Sequence, residues 1–269
     1  MKSIILTGDD FGLAVPVNEA IIEAHRNGAL TTASLMVGAE CTRDAVVRAG
    51  ACPSLKVGLH LVLVEGRSVL PPEEIPDLVD SKGEFSSNLV RSGFKYFFRP
   101  GIRQQLEAEI RAQFTAFIDT GLSLDHVNTH NHMHLHPTIL AQIVNVGKEY
   151  GLKAVRLPYE PPIRAWKSDG KGIGSKILYG AFLSPWLTIM KRKLSRADIR
   201  HNDALFGMAD SGGMTLDLVL RMLQNLPSGV TELHFHPATR RCPEIDATMS
   251  GYAQNGSRTG SRKCSQPDS

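Results

Sequence analysis

Short apolar runs and helical stripes alternate along most of this chain, and that alternation leaves few folds open. Residues 2–7 form a β-branched run leading into Gly8-Asp9-Asp10. A helical stripe at Val17, Ala20, Ile21 and Ala24 follows, and Gly28 stops it. Residues 30–37 and 56–64 read as strands around a helix at 42–49. An irregular insertion rich in Pro and Gly occupies 65–100, before a helix at 102–120, a strand at 123–130 and a helix at 138–150. Residues 153–157 read as another strand, 158–200 as a second long insertion, and 216–226 and 231–235 as a last helix and strand. Strands joined through helices pair in parallel by right-handed crossovers, so the expected fold is an α/β sheet or barrel. Residues 249–269, dense in Ser, Gly, Arg and Gln, are expected to be a disordered tail behind one domain at 1–248.

Composition narrows the class further. The 269 residues include 42% hydrophobic ones, enough for the core of one large domain, and 30 basic against 27 acidic residues give a net charge of +3. That balance does not argue for nucleic acid as a partner. The four cysteines, Cys41, Cys52, Cys242 and Cys264, show no CxxC spacing and fit a reducing compartment better than a disulfide framework. The N-terminus begins as a strand, not as a signal peptide, and no stretch has the uncharged apolar length of a spanning helix. A cytoplasmic globular protein is expected.

The residues suited to chemistry gather at strand ends. Asp9, Asp10, His60, His130, Arg156 and His236 each fall at the carboxyl end of a predicted strand, where barrels and open α/β sheets build active sites. His126, His130, His132, His134 and His136 lie within eleven residues, and the last four alternate with other residues. A strand would aim those four the same way, and imidazoles gathered in one pocket are what a divalent metal needs. Solvated histidine tracts exist, but this run sits between apolar residues and ends at Pro137 before a helical pattern.

One strand cannot complete a coordination sphere, and Asp9-Asp10 and His60 are the partners elsewhere in the chain. Adjacent aspartates point differently, so one can ligate an ion while the other faces the reacting centre. Mixed oxygen and nitrogen donors suit Zn²⁺, Mn²⁺, Fe²⁺, Co²⁺ or Ni²⁺ more than Ca²⁺. Such an ion acidifies water and polarises a carbonyl, and the second carboxylate would take the water's proton. For the leaving group, Glu232-Leu-His234-Phe-His236-Pro237 offers two histidines of one parity, with His236 at the strand end as the better acid. Arg156 either orients the catalytic aspartate and keeps it ionised or is an ordinary surface arginine. A GxSxG elbow, a GxxxxGK[ST] loop and a GxGxxG fingerprint are all missing, and Gly170-Lys-Gly-Ile-Gly174 follows no strand.

Four motifs resemble, in order, those of the YdjC-like carbohydrate deacetylases: Thr7-Gly-Asp-Asp-Phe-Gly12, Gly58-Leu-His60-Leu, His126-Val-Asn-Thr-His130-Asn-His-Met-His134, and His236-Pro237. The resemblance covers about residues 1–248 and implies a distorted (β/α) barrel that removes N-acetyl groups from amino sugars with one divalent metal ion: Zn, Mg, Mn, Co or Ni. It implies Asp9 as general base, Asp10, His60 and His130 as ligands, His236 as general acid, and His132 and His134 as second-shell or substrate-facing residues. Asn128 stands where the family often has Asp, which bears on how a ligand is oriented.

The segments Val155-Arg-Leu-Pro-Tyr-Glu-Pro161, Asn202-Asp-Ala-Leu-Phe-Gly207 and His236-Pro-Ala-Thr-Arg-Arg-Cys-Pro243 resemble the hopanoid-biosynthesis branch, which implies an N-acetylglucosaminyl lipid as substrate. Residues 173–194, apolar with aromatics and ending in basic residues, fit an interface at the inner face of a membrane, with Pro185 expected to kink or split them. Phe94-Lys-Tyr-Phe-Phe-Arg99 has the same character; packing of both insertions on the barrel is the alternative. The rival functions are deacetylation of soluble chito-oligosaccharides, a metal-dependent phosphoesterase, and a non-enzymatic sugar- or metal-binding module. A homo-oligomer is compatible with all of them.

Overall fold

The computed structural model describes residues 1–89, 92, 93, 96, 100–211, 213–243 and 245. The expected tail at 249–269 and most of the aromatic segment at 94–99 lie outside them. Six parallel strands form one sheet: β1 (Lys2–Phe11), β2 (Thr32–Leu35), β3 (Lys56–Leu61), β4 (Leu124–Thr129), β5 (Ala204–Phe206) and β6 (Gly229–Phe235), in the order β4-β3-β2-β1-β6-β5. The helices α1 (Val15–Arg26), α2 (Thr42–Gly50), α3 (Pro100–Asp119) and α4 (Pro137–Glu149) follow strands as the alternation predicts. Pro16 and Pro137 open α1 and α4, where a missing N–H costs nothing. Val17, Ile21 and Ile22 of α1 and Ile139, Leu140, Ile143 and Val144 of α4 are buried in the main core.

Residues 153–157, expected as a strand, instead form isolated bridges that close the curled sheet. The pairs Val127↔Val155 and Ala154↔Arg200 are both parallel. Hydrogen bonds run from Val127 N to Ala154 O (2.9 Å), Val155 N to Arg200 O (2.9 Å) and Leu205 N to Tyr159 O (2.7 Å). This irregular segment therefore links β4 at one edge to the β5 side at the other, giving a distorted barrel.

The barrel interior is polar at its carboxyl end. Thr7, Asp9, Ser34, His60, Asn128, Arg156, Glu232 and His234 are all buried. The interior is also crowded: a Cβ on Gly58 would run into the ring of His126, so β3 can pass only with glycine there.

The second insertion departs from expectation. Despite Pro185, residues Ile173–Arg196 form one continuous helix, α6, preceded by the short α5 (Pro162–Asp169); α7 (Leu216–Gln224) comes later. Leu187, Met190 and Leu194 fix α6 to the body, and the Trp186 indole N–H donates to Leu135 O at 2.6 Å. Cys41, Cys52 and Cys242 are all buried.

Candidate metal centre

The adjacent aspartates both face the site, which regular strand alternation forbids. Pairing of β1 with β2 shifts register between Gly8 and Phe11, and Asp10 takes a left-handed backbone with φ of 61°. A bulge with one residue in that conformation turns consecutive side chains towards one side. Asp10 is fully buried, with Oδ1 3.2 Å from His60 Nε2 and 3.3 Å from His130 Nδ1, and Oδ2 3.8 Å from His236 Nε2. Burial alone would raise its pKa, but His130 and His60 outweigh that and hold the carboxyl far below the usual range.

His60 tests whether an ion fits. Its Nδ1 lies 2.7 Å from Asn128 Oδ1, while Asn128 Nδ2 donates to Ser34 Oγ (2.8 Å) and Asp9 Oδ1 (3.1 Å). The amide is thereby oriented, and His60 must donate from Nδ1. Its Nε2 then meets a carboxylate oxygen, and only a proton or a cation can sit between them. Burial opposes the proton, but Asp10 and Asp9 prevail and raise the pKa of His60. Asp10, His60 and His130 gather one donor atom each within 4.8 Å of one another, so the donor set suits a divalent ion.

Asp9 occupies a different setting. Arg156 donates to both its oxygens, NH1 to Oδ2 at 2.6 Å and NH2 to Oδ1 at 2.9 Å. Burial pushes this carboxyl upward, and the guanidinium overcomes it, leaving the pKa well below the ordinary value. Arg156 is itself held from behind by Glu232 Oε1, at 3.0 Å from Nε and 2.7 Å from NH2, and Thr7 Oγ1 donates to the same oxygen at 2.7 Å. Glu232 is a residue that sequence reasoning quoted but gave no role. Its shared parity with His234 on β6 was the available signal.

The histidine run is not one strand. β4 ends at Thr129, and residues His130–Leu135 form a 3₁₀ turn in which Asn131 and His132 have φ of 53° and 51°. Such conformations cost about 1–3 kcal/mol each in non-glycine residues. The four imidazoles therefore diverge. His130 reaches Asp10; His132 lines the cleft; His134 is tied through Nδ1 to Thr129 Oγ1 (2.6 Å) and through Nε2 to Arg156 O (2.9 Å). His136 sits at the residue before α4, and its side chain makes no capping hydrogen bond. Burial, with Arg156 nearby, lowers the pKa of His134 and His234 to about 3, and burial also lowers His132 and His236. Asp9, His60, His130, His132, His234 and His236 line a cleft of about 900 Å³, with Glu40, Glu65, Glu84 and Arg67 among its other walls.

Asn128 matters here because its amide donates to Asp9. With Asp in its place, two carboxylates would lie about 3 Å apart, and like charges so close raise a pKa. In Asn128→Asp the acid limb of kcat/KM should move up by about one pH unit, a shift that Asn128→Ser should not produce. A pH profile checks this; coincident limbs would remove Asn128 from any role in tuning Asp9.

The chain matches the family model for YdjC-like protein over residues 3–263. It is 39% identical over 156 residues to a carbohydrate deacetylase of Brevibacillus brevis, and the match spans 58% of this chain and 59% of that protein. A carbohydrate deacetylase of Thermoanaerobacter pseudethanolicus is 26% identical over 238 residues, 88% of this chain and 82% of the relative. Among solved structures, an Enterococcus faecalis V583 protein ascribed to cellobiose-phosphate cleavage superposes with a TM-score of 0.72 at 22% identity, over 93% of this chain and 86% of that one. That last likeness concerns the fold.

Proposed function

This chain belongs to the YdjC-like protein family, and from that membership we propose that it is a metal-dependent hydrolase removing the N-acetyl group from an amino sugar. The observation that carries the reading is the pairing of two unlike carboxylates, one buried among imidazoles and one clamped by arginine at the wall of an open cleft. Relatives that carry the name carbohydrate deacetylase support it.

In this reading Asp10, His60 and His130 hold the ion, which when bound polarises the amide carbonyl and acidifies water. Asp9, kept ionised by Arg156, takes the proton as water adds to the carbonyl carbon. Arg156 and Asn128 fix the direction of the Asp9 oxygens. His236, with Nδ1 3.3 Å from Ser211 Oγ, faces the same space. Burial lowers its pKa; a proton from solvent passes through it to the leaving nitrogen as the C–N bond breaks, and the proton taken by Asp9 returns to solvent. His132 faces the sugar, and His134 stiffens the turn beneath it. Acetate release from N-acetylated sugars, set against phosphate release from phosphate esters, tests the reaction class; phosphate release alone would replace this reading with the phosphoesterase.

The substrate we propose is an N-acetylglucosaminyl lipid of the hopanoid type, reached at a membrane surface. Support comes from α6, where Leu178 and Phe182 are 73% and 79% exposed and Lys191, Arg192, Lys193 and Arg196 follow. Among the described residues no helix is long and apolar enough to cross a membrane, which leaves lying on its surface as the mode of contact. Apolar area covered there contributes about 25 cal/mol per Å². Trp186, anchored on Leu135, is a packing residue, so Leu178 and Phe182 are the informative positions. Leu178→Ser with Phe182→Ser should weaken binding to anionic vesicles at least tenfold and narrow the preference for lipid-linked over free sugar. Unchanged vesicle binding would return α6 to a purely structural role.

A further inference from the structure

His126, the first histidine of the run, lies outside the donor set yet is connected to it. The sheet order β4-β3-β2 puts β3 between β4, which carries His126 and Asn128, and β2, which carries Thr32 and Ser34. Gly58 of β3 pairs with Ser34, and a Cβ there would collide with the His126 ring. The ring therefore crosses β3 at its only glycine, and Nε2 comes within 3.1 Å of Ser34 Oγ. Its other nitrogen, Nδ1, is 3.1 Å from Asp125 Oδ2 and 3.4 Å from Thr32 Oγ1. His126, Ser34 and Asn128 are buried, whereas the Asp125 side chain is 43% exposed.

Each bond in this set has a direction. The His126 hydrogen bond holds the Asp125 carboxyl below its ordinary pKa, and an ionised carboxylate can only accept. The proton of a neutral His126 ring therefore sits on Nδ1, and Nε2 holds a lone pair. Ser34 donates its hydroxyl hydrogen to that lone pair and accepts from Asn128 Nδ2 at 2.8 Å. The second hydrogen of Nδ2 goes to Asp9 Oδ1 at 3.1 Å, which leaves Asn128 Oδ1 to accept from His60 Nδ1 at 2.7 Å. Four donors thus point the same way: His60 to Asn128, Asn128 to Ser34, Ser34 to His126, and His126 to Asp125. Bonds in such a chain polarise one another in a low-dielectric interior. The chain also answers a need, because a side-chain amide can present either end to His60 unless its surroundings decide.

We propose that His126 is a positioning residue for the metal centre, acting with Asp125 through Ser34 to hold the Asn128 amide and so to fix the orientation in which His60 meets an ion. A histidine that binds metal commonly gives its other N–H to a partner that sets its tautomer, and that partner is in turn held by hydrogen bonds. Here the partner is Asn128, and its support runs across β3 to a carboxylate near the surface. That the network serves an ion rests on the metal-dependent reading given above; the network itself does not.

The test is the Zn²⁺ affinity of the full chain, measured by competition with a chelator, with circular dichroism confirming the fold of each variant. Ser34→Ala and His126→Leu should each weaken binding about tenfold, the lower end of what losing a residue that orients a ligand costs. His126→Gln should recover most of that loss, because an amide oxygen can take the Ser34 hydrogen bond. Ser34→Ala combined with His126→Leu should bind no more weakly than Ser34→Ala alone, since His126 acts through Ser34. Unchanged affinity in both single variants would overturn the proposal. So would equal losses in His126→Gln and His126→Leu, which would make His126 a packing residue. An unaltered protein that takes up no Zn²⁺ would instead sink the metal reading, and the His60 Nδ1 proton would then carry the test. NMR of protein with isotope-labelled histidine should show that proton exchanging with solvent several-fold faster in Ser34→Ala, the worth of one lost hydrogen bond. Equal exchange rates would overturn the network as well.

Discussion

Changing His60 to Ala should remove the bound ion and abolish the proposed amide hydrolysis while the barrel stays folded. His60 contributes one of the three donors, with Asp10 and His130. Loss of residues that merely orient a ligand weakens metal affinity about 10–100-fold, so loss of a donor itself should exceed about a hundredfold. Folding should survive because the main cores are built from apolar residues elsewhere, and Ala fits a strand whose neighbours Leu59 and Leu61 stay buried. Metal uptake by the unaltered protein should also strengthen as pH rises. Asp10 and Asp9 raise the pKa of His60 against the effect of burial, so protons compete with metal for its nitrogen. A pH-independent affinity would mean that His60 is neutral in the free protein. Full occupancy in His130→Ala would show that a different imidazole serves, with His236, 3.8 Å from Asp10, the nearest to hand and His134 excluded because it spends both nitrogens on hydrogen bonds.

How much of this was legible before the structure depends on whether a feature is periodic. The alternation of strands and helices placed five of the six strands, because each buries a face that repeats along the chain. β5 was missed: at three residues it is too short to show a period. The segment at 153–157 was read as a strand, and it does close the barrel, but by single bridges that no periodicity announces.

The site shows the same division. Strand-end placement found Asp9, Asp10, His60, His130, Arg156 and His236, since the carboxyl ends of parallel strands meet by topology. The backbone that lets them meet was hidden. Asp10 in a left-handed bulge, and Asn131 with His132 in left-handed turn positions, contradict the alternation on which the histidine reading rested. Asp, Asn and His are the non-glycine residues that adopt this conformation most readily, but residue type only permits it, and surrounding packing imposes it. Glu232 was hidden for another reason. Its partner, Arg156, is 76 residues away in the chain, and only closure of the barrel brings them together.

Asp9→Asn should keep the ion yet lower kcat by roughly a hundredfold or more, the usual cost of a missing general base. The substitution suits the question because an amide keeps the size and one oxygen acceptor, so Arg156 retains a partner there besides Glu232. Removing the side chain outright would strand part of a buried ion pair, a change that costs about 3–5 kcal/mol and would confuse stability with catalysis. The pH dependence of stability gives an independent check. Asp9 has a pKa depressed in the folded state, so its contribution is fully present above the unfolded carboxylate value of about 3.9 and is lost as pH falls through the lower folded value. The unaltered protein should therefore lose stability steeply on acidification below about pH 4. Asp9→Asn should start lower and fall less steeply, though not flatly, because Glu232 is depressed in the same direction and for the same reason, the Arg156 charge set against burial. Near-normal turnover in Asp9→Asn with the ion retained would take the proton transfer away from Asp9. The buried Asp9–Arg156–Glu232 chain would then serve to hold β1, residue 156 and β6 in register around the ion.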